Sequence, residues 1–131
     1  MKFLTTAASA ALLLIGCVTA NAQALAAPDG LWEISSKDSR YEVTTCGTEG
    51  QLCGKLTWLG NGADNATNLP YLNTMLINHA DLVKPGQWKG QLSLFGQTAA
   101  GTITQTDNDN IEIRGCVIVV VCKSYFLTRM Q

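Results

Sequence analysis

The segment Cys46-Gly-Thr-Glu-Gly-Gln-Leu-Cys53-Gly-Lys-Leu-Thr-Trp58-Leu59 sets two cysteines around a turn and runs straight into an alternating strand. Glu49-Gly50 supplies the centre of a tight hairpin, with glycine where positive φ is needed, which places Cys46 opposite Cys53 within disulfide reach. Beyond the turn, a period of two sends Leu52, Gly54, Leu56 and Trp58 to one face and Lys55 and Thr57 to the other. A stapled hairpin with one apolar face implies an oxidising compartment and a small sheet built on a core. It specifies no reaction.

The N-terminus agrees with export. Met1-Lys2-Phe3, the apolar run Ala10–Val18 and small-residue cleavage sites at Ala20-Asn-Ala22 and Ala22-Gln-Ala24 have the three-part form of a bacterial secretory signal. Residues 1–24 are therefore read as a signal peptide, 25–29 as a short leader with no reason to fold, and 30–131 as a single domain, periplasmic or secreted. Leu14-Ile15-Gly16-Cys17 also fits a lipoprotein cleavage site, which would leave a lipid anchor on Cys17. The apolar run is shorter than the roughly 20 residues a bilayer span requires, and no later stretch approaches that length, so no transmembrane segment is expected.

Either route of processing leaves four cysteines in about 107 residues, an even count that reads as a disulfide framework in a chain near the size where cores are thin. Closing an eight-residue loop contributes on the order of 2.5 kcal/mol in the chain-entropy model, so two bridges approach the whole stability of a small domain. Cys116-Val-Ile-Val-Val-Val-Cys122 is the awkward pair. Fully extended, its ends would stand roughly 20 Å apart, so a local bridge demands a turn inside a β-branched run that contains no turn residue. Local closure is preferred here, with long-range pairing to Cys46 and Cys53 the alternative.

Strand signals recur along the rest of the chain at short intervals. Gly30–Ile34 and Arg40–Cys46 flank a polar turn, Gly60–Pro70 is a loop of Gly, Asn, Asp and Pro, and a strand is placed around residues 74–77. Gln87–Leu94 alternates cleanly after Lys84-Pro85-Gly86, with Trp88, Leu92 and Leu94 inward; Asp107–Asn110 turns the chain before Ile111–Cys116, and Tyr125–Met130 forms a last strand. Seven or eight short strands with no convincing long helix predict an all-β, antiparallel barrel or sandwich.

Several features also stand in a fixed order: Gly30 and Trp32, the Cys46–Leu59 segment, Gly86-x-Trp88-x-Gly90, and Arg114-Gly-Cys116…Cys122…Leu127-Thr-Arg129. Together they resemble the bacterial family known as domain of unknown function 2147, with the likeness spanning residues 30–130. The resemblance implies a lipocalin-like (calycin-type) β-barrel and brings no activity with it. The chain departs from the family pattern in the polar loop, represented only by Asp64, Asn68 and Pro70, and in Leu127, which stands where the family has an aromatic residue. In calycin-like barrels a tryptophan of the first strand packs beneath an arginine of the last, which carried over by motif gives Trp32 and Arg129 as a latch.

Chemistry is sparse. His79 is the single histidine and has no serine or cysteine placed beside it by motif, so a hydrolytic triad is unsupported. One histidine and four oxidised cysteines do not furnish a tetrahedral zinc site, and Asp64, Asn65 and Asn68 lack the carboxylate count of a calcium loop. Neither metal nor other cofactor is expected. With 9 Lys plus Arg against 10 Asp plus Glu spread singly, no basic stripe exists for nucleic acid. The chain therefore reads as a non-enzymatic exported barrel. Either its interior is filled and it works through its surface, as an envelope interaction or stress-associated factor with an envelope protein as partner, or its mouth takes a small apolar or amphipathic molecule. The ligand-facing candidates are Tyr41, Trp58, Tyr71, Met75, Trp88 and Leu92. An eight-stranded barrel is just wide enough for its own side chains to fill, which tips the expectation slightly toward the filled form.

Overall fold

A computed structural model describes residues 24–118 and 121–131, with Gly16 alone before them; the signal segment and Cys17 lie outside the described residues. Eight strands form a closed antiparallel barrel in simple up-and-down order: β1 (Gly30–Ile34), β2 (Ser39–Cys46), β3 (Gln51–Leu59), β4 (Met75–Lys84), β5 (Gln87–Leu94), β6 (Gln97–Asp107), β7 (Asn110–Ile118) and β8 (Val121–Arg129). The last strand returns to the first, with Trp32 opposite Arg129 and Ile34 opposite Leu127, so no sheet edge is left unpaired.

Both local disulfides form. Cys46–Cys53 spans a Cα separation of 5.9 Å and Cys116–Cys122 one of 4.0 Å. The first hairpin differs from the expected register: a four-residue turn, Gly47–Gly50, pairs Cys46 with Gln51 and Cys53 with Thr44, so the bridge runs diagonally across the ladder. Gly47 and Gly50 both take positive φ, 63° and 71°, which the turn demands of them. In the second hairpin Cys116 and Cys122 stand directly opposite one another, and Ile118 pairs with Val121. Pairing thus persists as far as Ile118 and Val121; residues 119–120 lie outside the described residues.

Alternation along the strands fills one end of the barrel. Trp32, Val43, Leu52, Ile77, Trp88, Ile103, Ile111 and Leu127 are buried in one cluster, and burying each side chain of this size stabilises by about 1.5–3 kcal/mol. Trp88 points its indole N–H at the Gly50 carbonyl, 2.9 Å away, and so ties β5 to the first disulfide hairpin.

The segment before β1 is ordered, contrary to the expectation of an unstructured leader. It crosses the filled end as a strap, because its backbone carbonyls are the acceptors that buried donors there require. The Trp32 indole N–H donates to the Pro28 carbonyl at 2.9 Å, and the Gln105 amide donates to the Ala26 carbonyl at 2.9 Å. Arg129 completes the arrangement. Its guanidinium carbon lies 4.4 Å from the Trp32 ring centroid, while its three nitrogens donate to the carbonyls of Asn108 (2.9 Å), Asp29 (2.8 Å) and Ala27 (2.9 Å). One side chain thus holds the first strand, the last strand and the strap together.

The Asp29 carboxylate anchors the strap from the other side, accepting the Thr45 backbone N–H and hydroxyl at 2.8 Å each. Partial burial opposes its ionisation, but the two Thr45 hydrogen bonds and the nearby Arg129 charge outweigh that and hold its carboxyl below the ordinary 3.8. A depressed carboxylate contributes stability above its unfolded pKa and loses it as pH falls through the lower folded value. Acid denaturation should therefore steepen below about pH 4, and Asp29→Asn should flatten that part of the stability-against-pH curve. Arg129→Ala removes a cation–π contact and three charge-assisted hydrogen bonds, and should lower unfolding stability in urea by about 2–4 kcal/mol. Arg129→Lys, lacking the planar fork, should recover less than half of that loss.

Candidate functional site

The two ends of the barrel differ in what their strands supply. Turns 47–50, 85–86 and 108–109 cluster with the strap at the filled end. The other end carries the Ser35–Asp38 turn, the 60–74 loop, the Phe95-Gly96 turn and the β7–β8 reversal. At that end a cavity of about 510 Å³ opens into the barrel, bordered by the Ser35–Asp38 turn and by Phe95. Its walls are mainly aliphatic and aromatic: Ile34 and Leu127 beside the seam, Leu76, Leu92, Leu94 and Phe95 from β4 to the β5–β6 turn, and Ile113, Val117, Val121 and Tyr125 from β7 and β8.

Room exists there because small side chains occupy inward positions. Ala99 and Gly115 line the cavity, and a Cβ built on Gly115 would meet nothing closer than Leu92 at 3.4 Å. Gly101 behaves differently: a Cβ at that position would fall 2.4 Å from the Leu92 side chain, so glycine here lets Leu92 seat as the boundary between packed core and open cup. The barrel is thus filled over one half and hollow over the other, which departs from the expectation of a filled interior.

Polar side chains line the cup at Ser36, Asp38, Tyr41, Gln97, Thr98 and Lys123. Tyr41 is 3% exposed, and its phenol oxygen accepts a hydrogen bond from the Ser39 hydroxyl at 3.1 Å, which leaves the phenol proton free to be donated. Burial, reinforced by the Asp38 charge, raises the Tyr41 pKa above 10.0 against the opposing Ser39 bond, so the group faces the cavity as a neutral donor. Asp38 and Lys123 stand in the lining with opposite charges, and the Lys123 ammonium lies 5.1 Å from the Tyr125 ring centroid. An apolar cavity with a few placed polar groups is how proteins hold and orient small molecules.

The six ligand-facing candidates divide. Tyr41 and Leu92 line the cavity. Tyr71 sits in a short 3-10 turn, Leu69–Tyr71, and meets Phe95 edge-on at 5.8 Å, so it borders a side pocket at the rim with Tyr41 and Leu76. Trp88 belongs to the filled end. Met75 is half-buried and pairs with Lys55, while Leu76 and Ile77 beyond it carry the burial.

Trp58 is a correction: it faces outward. β3 and β2 slip by one residue, with Tyr41 opposite Leu56 and Arg40 opposite Trp58, so Thr57 has no partner and its hydroxyl donates to the Arg40 carbonyl at 3.2 Å. A bulge of one residue reverses every side chain beyond it, bringing Leu59 into the core and turning Trp58 out. There the Arg40 guanidinium carbon stacks 4.1 Å from the indole centroid and its Nε bonds Glu33 at 2.9 Å.

The lining residues that sequence reasoning missed lie mostly on β7 and β8. Ile113, Gly115 and Val117 alternate, as do Val121, Lys123, Tyr125 and Leu127, so period two would have put each set on one face. What period two could not say is which face turns inward at the open end. Two substitutions separate inside from outside: Leu92→Ala should cost about 2–4 kcal/mol in denaturant unfolding, whereas Trp58→Ala, though it removes a larger side chain, should cost under about 1.5 kcal/mol.

No helix among the described residues is long and apolar enough to cross a membrane. No relative was found among curated proteins. Among solved structures the chain is similar to protein HP1028 from the human pathogen Helicobacter pylori, described as belonging to the lipocalin family. The TM-score is 0.58 at 15% identity, with 82% of this chain and 84% of that one covered. At that identity the likeness concerns the fold, a lipocalin-like barrel closed at one end. A family model described as "uncharacterized protein conserved in bacteria (DUF2147)" matches residues 30–129, nearly the whole barrel, and the chain belongs to that family.

Proposed function

We propose that the protein is a non-enzymatic carrier or sensor that takes a small apolar or amphipathic molecule into the open half of its barrel. The observation that carries this reading is the cavity of about 510 Å³, which falls within the range of small-molecule sites and is walled chiefly by hydrocarbon. The ligand's apolar body would rest on Leu92, Leu94, Ile113 and Leu127, and its polar end would meet Tyr41, Asp38 or Lys123 near the mouth. Two disulfides favour an oxidising compartment, so we assign this activity to the outside of the cytoplasm, in the periplasm or beyond it, with Cys17 as the alternative lipid anchor. The cup also weighs against the surface-only reading, since a barrel acting solely as an envelope interaction factor gains nothing from a hollow half.

A fluorescent apolar probe such as N-phenyl-1-naphthylamine, displaced by fatty acids and isoprenoids, tests the proposal. Saturable binding of one probe per chain is expected. Gly115→Phe, which fills the cavity from a position where a side chain meets only ordinary contacts, should weaken it at least about tenfold while leaving the far-ultraviolet circular dichroism unchanged. Absence of saturable binding, or equal binding by the filled variant, would remove the proposal.

A further inference from the structure

The outer wall toward the filled end carries a second group of chemistry-bearing side chains, apart from the cavity. The β4–β5 ladder is irregular between Ile77 and Asp81, and within that break His79 takes φ 55°, a left-handed conformation seldom adopted by residues with a side chain. The irregularity leaves the imidazole exposed beside the Cys46–Cys53 hairpin. Donor atoms of Cys46, Cys53 and His79 all lie within 4.8 Å of one another.

The imidazole is also oriented. Its Nδ1 lies 2.7 Å from Asn78 Oδ1, and because an amide oxygen only accepts, this contact suits the tautomer with the proton on Nδ1 and the lone pair on Nε2. The Cδ2 edge, which adjoins Nε2, faces the hairpin, where a Cβ on Gly47 would stand only 3.0 Å from it. Gly47 is needed for its positive φ of 63°, and a side chain there would press first on the Gln51 amide and then on the imidazole. A fixed outer partner that sets the tautomer of a histidine is the usual support of a metal-ligating one.

We propose that reduction of the Cys46–Cys53 bridge converts this group into a site for a thiophilic cation of the zinc type, held by two thiolates and the His79 imidazole. The reductant is a dithiol. It passes two electrons and two protons to the disulfide, giving two thiols, and is itself closed to a disulfide. Metal binding then releases one proton from each thiol, and neutral His79 gives its lone pair to the third position. Zinc at about 2.3 Å from sulfur and about 2.0 Å from nitrogen sets ligand separations of roughly 3.5 Å. The freed sulfurs must part and the imidazole must close in from its present distance. The fourth position faces solvent, since His79 is exposed. The metal would take over the cross-link, so the hairpin would stay pinned in both redox states. Among the described residues no such group surrounds Cys116–Cys122, which serves as the internal control.

The test uses the full chain carrying Cys116→Ser and Cys122→Ser, reduced with dithiothreitol, desalted under nitrogen and titrated with cobalt(II) as a spectroscopic stand-in for zinc. One cobalt per chain should bind with near-ultraviolet thiolate-to-metal absorption, zinc should displace it, and the oxidised protein should show no such band. His79→Ala should weaken binding at least about tenfold and shift the visible cobalt bands. Failure of the thiolate band to form, or identical titration of the His79 variant, would overturn the proposal. If reduction alone unfolds the chain, zinc must restore the strand signal in circular dichroism, and a chain that stays unfolded with zinc counts against the site. Should the double serine variant not fold, the same comparison of His79 with His79→Ala in the natural sequence decides between the outcomes, because the second cysteine pair brings no imidazole.

Discussion

Closure of the barrel passes through its shortest strand, Gly30–Ile34, which must pair with β2 on one side and β8 on the other. The seam with β8 is short: Trp32–Arg129, Glu33–Thr128 and Ile34–Leu127 are in register, and backbone bonds from Met130 to Leu31 and from Ser35 to Phe126 extend it by one step at each end. Side chains reinforce it. Trp32 is fully buried beneath the Arg129 guanidinium, and Arg129 reaches three carbonyls on two separate connections. The donors are charged and their fork is spread over three fixed backbone oxygens, so the latch is stronger than a single exposed ion pair.

The latch also gives the barrel its polarity. With the strap, the end of β8 and the large residues Trp32, Trp88, Ile103 and Ile111 gathered at one end, that half is packed by its own side chains. An eight-stranded barrel has little interior to spare, so the opposite half stays open only where inward positions carry alanine or glycine. Ala99 and Gly115 occupy such positions, and Leu92, seated over Gly101, marks the boundary. The two disulfides follow the same division. Cys46–Cys53 braces the filled end beside His79, and Cys116–Cys122 braces the hairpin whose Val117 and Val121 form part of the cavity wall. Each bridge closes a hairpin that the rest of the chain uses, one receiving the Trp88 indole bond and one contributing Val117 and Val121 to the cavity wall.

Much of the architecture was legible because its causes are local. Period-two alternation, turn residues at Pro85-Gly86 and Asn108-Asp109, and cysteines at hairpin spacing each act over fewer than about ten residues, and the ordered motifs added the barrel and the Trp32–Arg129 pairing. The expectations that failed depended on register or on distant partners. Trp58 read as inward by simple alternation, but the Thr57 bulge reversed it, and a bulge of one residue leaves no mark in a pattern of apolar and polar types. The strap read as unstructured because its composition offers no strand or helix signal. Its order comes from donors on Trp32, Gln105 and Arg129, as many as 102 residues away.

The sequence alone therefore determined that this chain forms short antiparallel strands, closes the Cys46–Cys53 hairpin and builds its core on tryptophan and branched aliphatic residues, since spacing and side-chain type suffice for each, whereas the local Cys116–Cys122 pairing was settled only by the register of β7 against β8. Only the tertiary structure decided that the barrel is hollow over one half, that Tyr41 and Leu92 reach the hollow while Trp58 and Met75 do not, and that His79 lies against a disulfide. Those outcomes depend on strand register, on bulges and on which end of a closed sheet receives the large side chains. Such quantities are fixed by pairing between segments far apart in the chain, and no local pattern encodes them.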